Sequence, residues 1–115
     1  MNPTLTQRVC VRGVPILSVQ ALPAHLPNWP EIPVVLCRPH AIVLSEMIEQ
    51  KDSWNVIHTA SGLKVNAGYI SKTRTQAIAD AEAALEVIAQ TRGRDAVLRF
   101  VELETKTSPL NAQIS

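Results

Sequence analysis

The stretch WNVIHTASGLKVNAGYISKTRTQAIADAEAALEVIAQTRG, residues 54–93, decides the fold. Its second half reads as a helix over 74–91. Thr73 and Gln76 have capping-box spacing, so the Thr73 hydroxyl can accept from the amide three residues on. Ala77, Ile78, Ala81, Leu85 and Ile88 then recur at three- and four-residue steps and form one apolar stripe. Asp80, Glu82, Glu86 and Gln90 fall mostly outside it. The alanines favour helix and keep the stripe flat, which lets a sheet approach closely. Arg92 suits the negative end of the helix dipole, and Gly93 can take the left-handed position that closes a helix.

The first half of the stretch reads as a β-hairpin over 54–70. Trp54, Val56 and His58 point one way, and Asn55 and Ile57 the other. Ser61-Gly62 supplies the turn. Asn66 and Gly68 suggest a bulge or bend before Tyr69 and Ile70.

Outward from this unit, 95–103 (DAVLRFVEL) reads as a strand, because Leu98 and Phe100 alternate with Val97, Arg99 and Val101. Residues 8–19 read as another strand, bent at Gly13 and Pro15. Arg8 and Arg12 would then share one face. Residues 40–50 are ambiguous between a continuing strand and a short helix, with the balance towards a helical turn at 44–50. The resulting class is α+β: a small, mainly antiparallel sheet packed against one main helix. Ile78, Leu85 and Ile88 are expected to meet Val56, Val65, Leu98 and Phe100. The 115 residues suit a single domain, with 1–7 and 105–115 as mobile ends.

Residues 21–39 stand apart. Of eight prolines, five lie between Pro23 and Pro39, so this segment is neither helix nor central strand but an extended, stiff arm. It reads either as a connection whose Trp29 plugs the core, or as an arm that presents Leu26, Trp29 and Glu31 to a partner.

Composition bounds the function. Hydrophobic residues make up 46% of the chain, enough for a core, and net charge is +1, which excludes diffuse, histone-like binding of nucleic acid. No run approaches the roughly 18 apolar residues of a membrane span. Arg8 and Arg12 interrupt any signal-peptide core, so the expectation is a cytoplasmic protein with Cys10 and Cys37 reduced. Cys37-x-x-His40 has ligand-like spacing but lacks a second knuckle, so no metal and no cofactor is expected. His58 precedes Ser61 closely, yet no glycine-framed nucleophile or phosphate-cradling loop exists, and no catalytic residue is assigned.

The basic residues Lys64, Lys72 and Arg74 cluster from the hairpin to the start of the helix, and Arg92 and Arg94 flank Gly93. Such residues can contact phosphates. In this region W-x-V, the Ser-Gly turn and G-Y-x-x-K-T-R-x-x-A, within residues 53–90, resemble the arm-type, AP2-like domains of phage and plasmid integrases. That resemblance implies a three-stranded sheet laid in a DNA major groove against one helix. The Pro-rich arm and the predicted strand after the helix depart from it. Two functions are therefore expected. The first is a non-enzymatic protein that binds and occludes a protein partner, in the manner of phage or mobile-element inhibitors of host nucleic-acid-processing or defence complexes, such as anti-CRISPR proteins. The alternative is a DNA-binding accessory module with a basic sheet face. A homodimer is compatible with either.

Overall fold

The computed structural model describes residues 5–11 and 14–111, and the side chains of all these except 11, 14–16, 41 and 42. Strands β1 (Leu5–Val11), β2 (Val14–Ala24), β3 (Val34–Cys37) and β6 (Asn55–His58) form one antiparallel sheet in the order β1-β2-β3-β6. Strands β4 (His40–Val43) and β5 (Glu46–Glu49) make a separate two-stranded hairpin. Helices α1 (Arg74–Arg92) and α2 (Arg94–Thr107) follow, joined through Gly93. The fold is α+β, as the sequence implies. No helix among the described residues is long and apolar enough to cross a membrane.

The central strand β3 is buried along its whole length because both its faces are covered. Val34 and Leu36 face the helices and join a cluster with Val56, Ala77, Ala81, Leu85 and Val97. Val35 and Cys37 face the other way, with Val9, Val19, Ala21 and Ile57. No helical residue belongs to this second cluster. It is enclosed by the sheet's own curl, which brings β1 back to the loop after β6: Cys10 N donates to Gly62 O at 3.1 Å, and Gln7 Nε2 to Thr59 O at 3.0 Å.

Helix α1 begins as its sequence dictates, with Thr73 Oγ1 accepting from Gln76 N at 3.0 Å. The Gln76 side chain does not complete the box; it donates to Asp80 Oδ1 at 2.7 Å instead. Asp80 is buried rather than solvated, and also accepts from Ser71 Oγ at 2.7 Å. Ser71 Oγ in turn accepts from Asn66 Nδ2 at 3.0 Å, and Asn66 Oδ1 accepts from Val56 N at 2.9 Å. This chain of side chains fixes the irregular segment 66–73 between β6 and α1.

Several expectations are corrected. Residues 95–103 are helical, inside α2, and not a strand. Gly93, at φ 88°, ends α1 and lets the chain turn, after which Val97, Val101 and Glu104 follow helical spacing onto the core. The apolar run 97–103 satisfies both periods, and the neighbouring Asp95, Glu102, Glu104 and Lys106 are good company for a helix. Phe100 consequently lies 51% exposed instead of in the core. The second arm of the 54–70 hairpin is reduced to isolated bridges, Ile57 with Lys64 and Trp54 with Ser71. Residues 8–19 form two paired strands. Val11 lies opposite Val14; Arg12 and Gly13 fall outside the described residues, and with them the predicted bend at Gly13 and the shared face of Arg8 and Arg12. Residues 40–50 form the β4–β5 hairpin rather than a helical turn. Of the predicted mobile ends, 5–7 belong to β1, and 105–111 complete α2 and a closing turn.

The Pro-rich segment contributes both its ends to the sheet. Pro23 pairs with Val35 inside β2, and its missing N–H is harmless there because the described pairing with β1 stops at Ala21. Between the strands the chain makes successive tight turns, Trp29 N to Leu26 O at 3.0 Å and Ile32 N to Trp29 O at 3.1 Å.

Candidate functional site

Leu26 and Trp29 are both at 0% exposure in the core beneath α1 and α2, so neither is displayed to a partner. The turn that carries them is strapped down from both helices. Asn28 N donates to Glu82 Oε2 at 2.6 Å, and the Arg94 guanidinium stacks 4.1 Å from the centre of the Trp29 ring. Arg94 also pairs with Glu31 at 2.6 Å, and this hydrogen bond holds the exposed Glu31 carboxyl below the usual carboxylate range. Trp29 Nε1 is buried without a hydrogen-bond partner among the described residues. Apolar side chains between prolines signal a stiff segment, but not which side of it faces the core.

The basic residues divide into two groups. Arg74 lies by Trp54, which is half-buried and bridged to Ser71, the neighbour of Lys72, whereas Lys64 bridges to Ile57. Arg38 joins Arg74 there, its guanidinium 3.8 Å from the Trp54 ring centre, while that of Arg74 lies at 6.0 Å. Arg38 is fixed there by donating to Lys51 O at 2.9 Å and Ser53 O at 3.0 Å. Lys64 Nζ donates to Tyr69 O at 3.0 Å, and partial burial lowers its pKa. Arg92 and Arg94 lie at the other end of α1, roughly 27 Å away at 1.5 Å per residue, so the five do not form one surface. Nor do they make a basic sheet face, because both faces of the sheet are covered by the two apolar clusters. Arg38 was invisible as a member because the pairing of Cys37 with Asn55 is what brings it to Trp54.

The β4–β5 hairpin presents a different kind of surface. Its tip is Leu44-Ser45, with φ 50° and 68°, both in the left-handed region. Positive φ at both central residues characterises a type I′ turn, where Asn-Gly is preferred and a bulky Leu is costly. Leu44 is 94% exposed, and Val43 and Ile48 beside it are also exposed. No turn dipeptide marks this site in AIVLSEMI, so the sequence reads as a continuous apolar run and the reversal is missed.

A cleft of about 510 Å3 opens between β6, the segment 63–67 and the two helices. It is lined mostly by apolar side chains, including Ile32, Val65, Leu85, Ile88, Val97 and Val101, and its polar lining residues are His58, Ser61, Lys64 and Glu104. His58 Nδ1 and Ser61 Oγ are 2.8 Å apart, and Ser61 Oγ also accepts from Leu63 N at 3.3 Å. Burial lowers the His58 pKa below its ordinary value. With 1% of its surface exposed, Ser61 does not present its hydroxyl as a nucleophile. Cys37 is buried, which pushes its thiol up to about 11, and among the described residues no group of three or more His, Cys, Asp or Glu side chains could hold a metal ion.

The chain matches no family model, no curated protein and no solved structure.

Proposed function

We propose that this chain is a non-enzymatic binding protein that occludes a protein partner, in the manner of a phage or mobile-element inhibitor of a host nucleic-acid-processing or defence complex. The observation that carries this reading is Leu44. Its side chain is 94% exposed and its backbone is in the left-handed region. The apolar surface and the backbone conformation both cost stability, and at 94% exposure the side chain gains little from the described residues in return. A partner with an apolar pocket would offset both. Val43 and Ile48 widen the same tip, and the hairpin stands apart from the four-stranded sheet as a projecting finger. The anchor is thus the hairpin tip, and not the buried Leu26 and Trp29.

The test is affinity capture from the native host with the wild-type chain and with Leu44→Asp, followed by mass spectrometry. A protein retained by the wild type and lost at least ten-fold with Leu44→Asp, at unchanged melting temperature, supports the reading. Identical retention by the two forms defeats it.

The stacking of Arg38 and Arg74 on Trp54 favours a second reading, binding of nucleic acid through that patch with Lys72. Phosphate contacts release counterions, so affinity for labelled single-stranded or duplex DNA should fall steeply with salt and be lost in Lys72→Glu with Arg74→Glu. Absence of a shift at low salt removes this alternative.

A further inference from the structure

The cleft between β6 and the helical pair ends in a hydrogen-bond donor that the chain itself does not use. Ser61 is buried, and a buried hydroxyl needs an acceptor for its hydrogen. Among the described residues the acceptor within reach is His58 Nδ1, at 2.8 Å, while Leu63 N occupies a lone pair of the same oxygen. His58 therefore carries its own hydrogen on Nε2. The ring is only 6% exposed, and Nε2 makes no hydrogen bond to any described residue. His58 lines the cleft, and so does Glu104 from α2, an acceptor. Lys64 also lines the cleft, but its Nζ donates at 3.0 Å to Tyr69 O, which lies outside the lining, so its ammonium group is already engaged.

This combination selects by charge. A carboxylate would sit beside Glu104, and an ammonium group would confront the N–H of His58. A hydroxyl satisfies both, accepting from Nε2–H and donating to the Glu104 carboxylate. The remaining walls are mainly apolar, Phe100 among them, and about 510 Å3 lies within the range of roughly 300–1,000 Å3 usual for small-molecule sites. We infer that the cleft is a binding site for an uncharged, apolar molecule carrying one hydroxyl group, of the medium-chain alcohol or alkylphenol class, oriented by His58 and Glu104.

The experiment is a titration of the full chain, followed by NMR of the backbone amides and of the His58 ring nitrogens, with three probes of equal chain length: 1-octanol, octanoate and octylammonium. Saturable shifts with 1-octanol, confined to the cleft residues and including His58 Nε2, and at least ten-fold weaker effects of the two charged probes, are expected. Val101→Trp fills the cleft from α2 and should abolish the response to 1-octanol. Ala84→Leu fills it from α1 and serves the same purpose should the tryptophan disturb folding. The inference is overturned if the shifts fail to saturate or map elsewhere, if a charged probe binds as well as 1-octanol, or if a folded filling variant binds it undiminished.

Discussion

Gly62 has a backbone that no other residue would tolerate cheaply. Its φ is 71°, and a Cβ there would meet Leu110 Cδ1 at 2.5 Å and the Arg8 carbonyl oxygen at 2.9 Å. Gly62→Ala should therefore cost about 2–4 kcal/mol by chemical denaturation, from the left-handed conformation and the displaced neighbours together. Gly68, at φ 87°, has open space around it, so Gly68→Ala should cost only about 1 kcal/mol. His58 gives a pH signature. Burial depresses its folded pKa below the ordinary 6.5, so the unfolded chain binds the proton more readily. The stability associated with this residue is thus fully present above pH 6.5 and is lost as pH falls through the folded-state value. Denaturation midpoints should decline across that window in the wild type, and less so in His58→Gln.

Among the elements, α1 was legible because its cap, stripe and closing glycine agree with one another. Leu85 belongs to that stripe and to the main cluster, so Leu85→Ala should cost about 2–5 kcal/mol, and a variant that melts like the parent would mean the helix is not docked. Helix α2 was not legible, since the apolar residues of 97–103 satisfy the strand and helix periods together and only tertiary packing decides between them. The β4–β5 hairpin was hidden for a related reason: its turn lacks the residues that usually announce one. That turn also yields an opposed pair of outcomes. Replacing Leu44-Ser45 by Asn-Gly should stabilise the chain by about 1–2 kcal/mol, through relief of two left-handed residues. The same replacement should abolish capture of the proposed partner. A gain in melting temperature with undiminished capture would separate the tip from the function.

At the scale of the whole molecule, two apolar clusters on opposite faces of one curled sheet explain how 115 residues with 3% aromatics make a core. The exposed surfaces were less visible than the core, because exposure is settled by which side of a turn faces inward. Trp29 is the core plug, one of the two readings its segment allowed, and Leu44 lies exposed at a turn that the sequence does not announce. The loop after β6 gathers segments from across the chain. It accepts Cys10 N at Gly62 O, and Ser108 Oγ donates to Ser61 O. Asn111 Nδ2 donates to Ala60 O at 2.7 Å, and the sulfur of Cys10 and the hydroxyl of Ser108 lie 3.9 Å apart across 98 positions of sequence. Contacts of such separation form late, because the closure entropy of the intervening chain must be met first. During synthesis, β1 and β2 can pair early, but the loop cannot be locked until residue 111 has left the ribosome. Until the helices have emerged, the nascent chain is a sheet whose Val34, Leu36 and Val56 face lies open, and a chaperone would have its longest opportunity to bind in that interval.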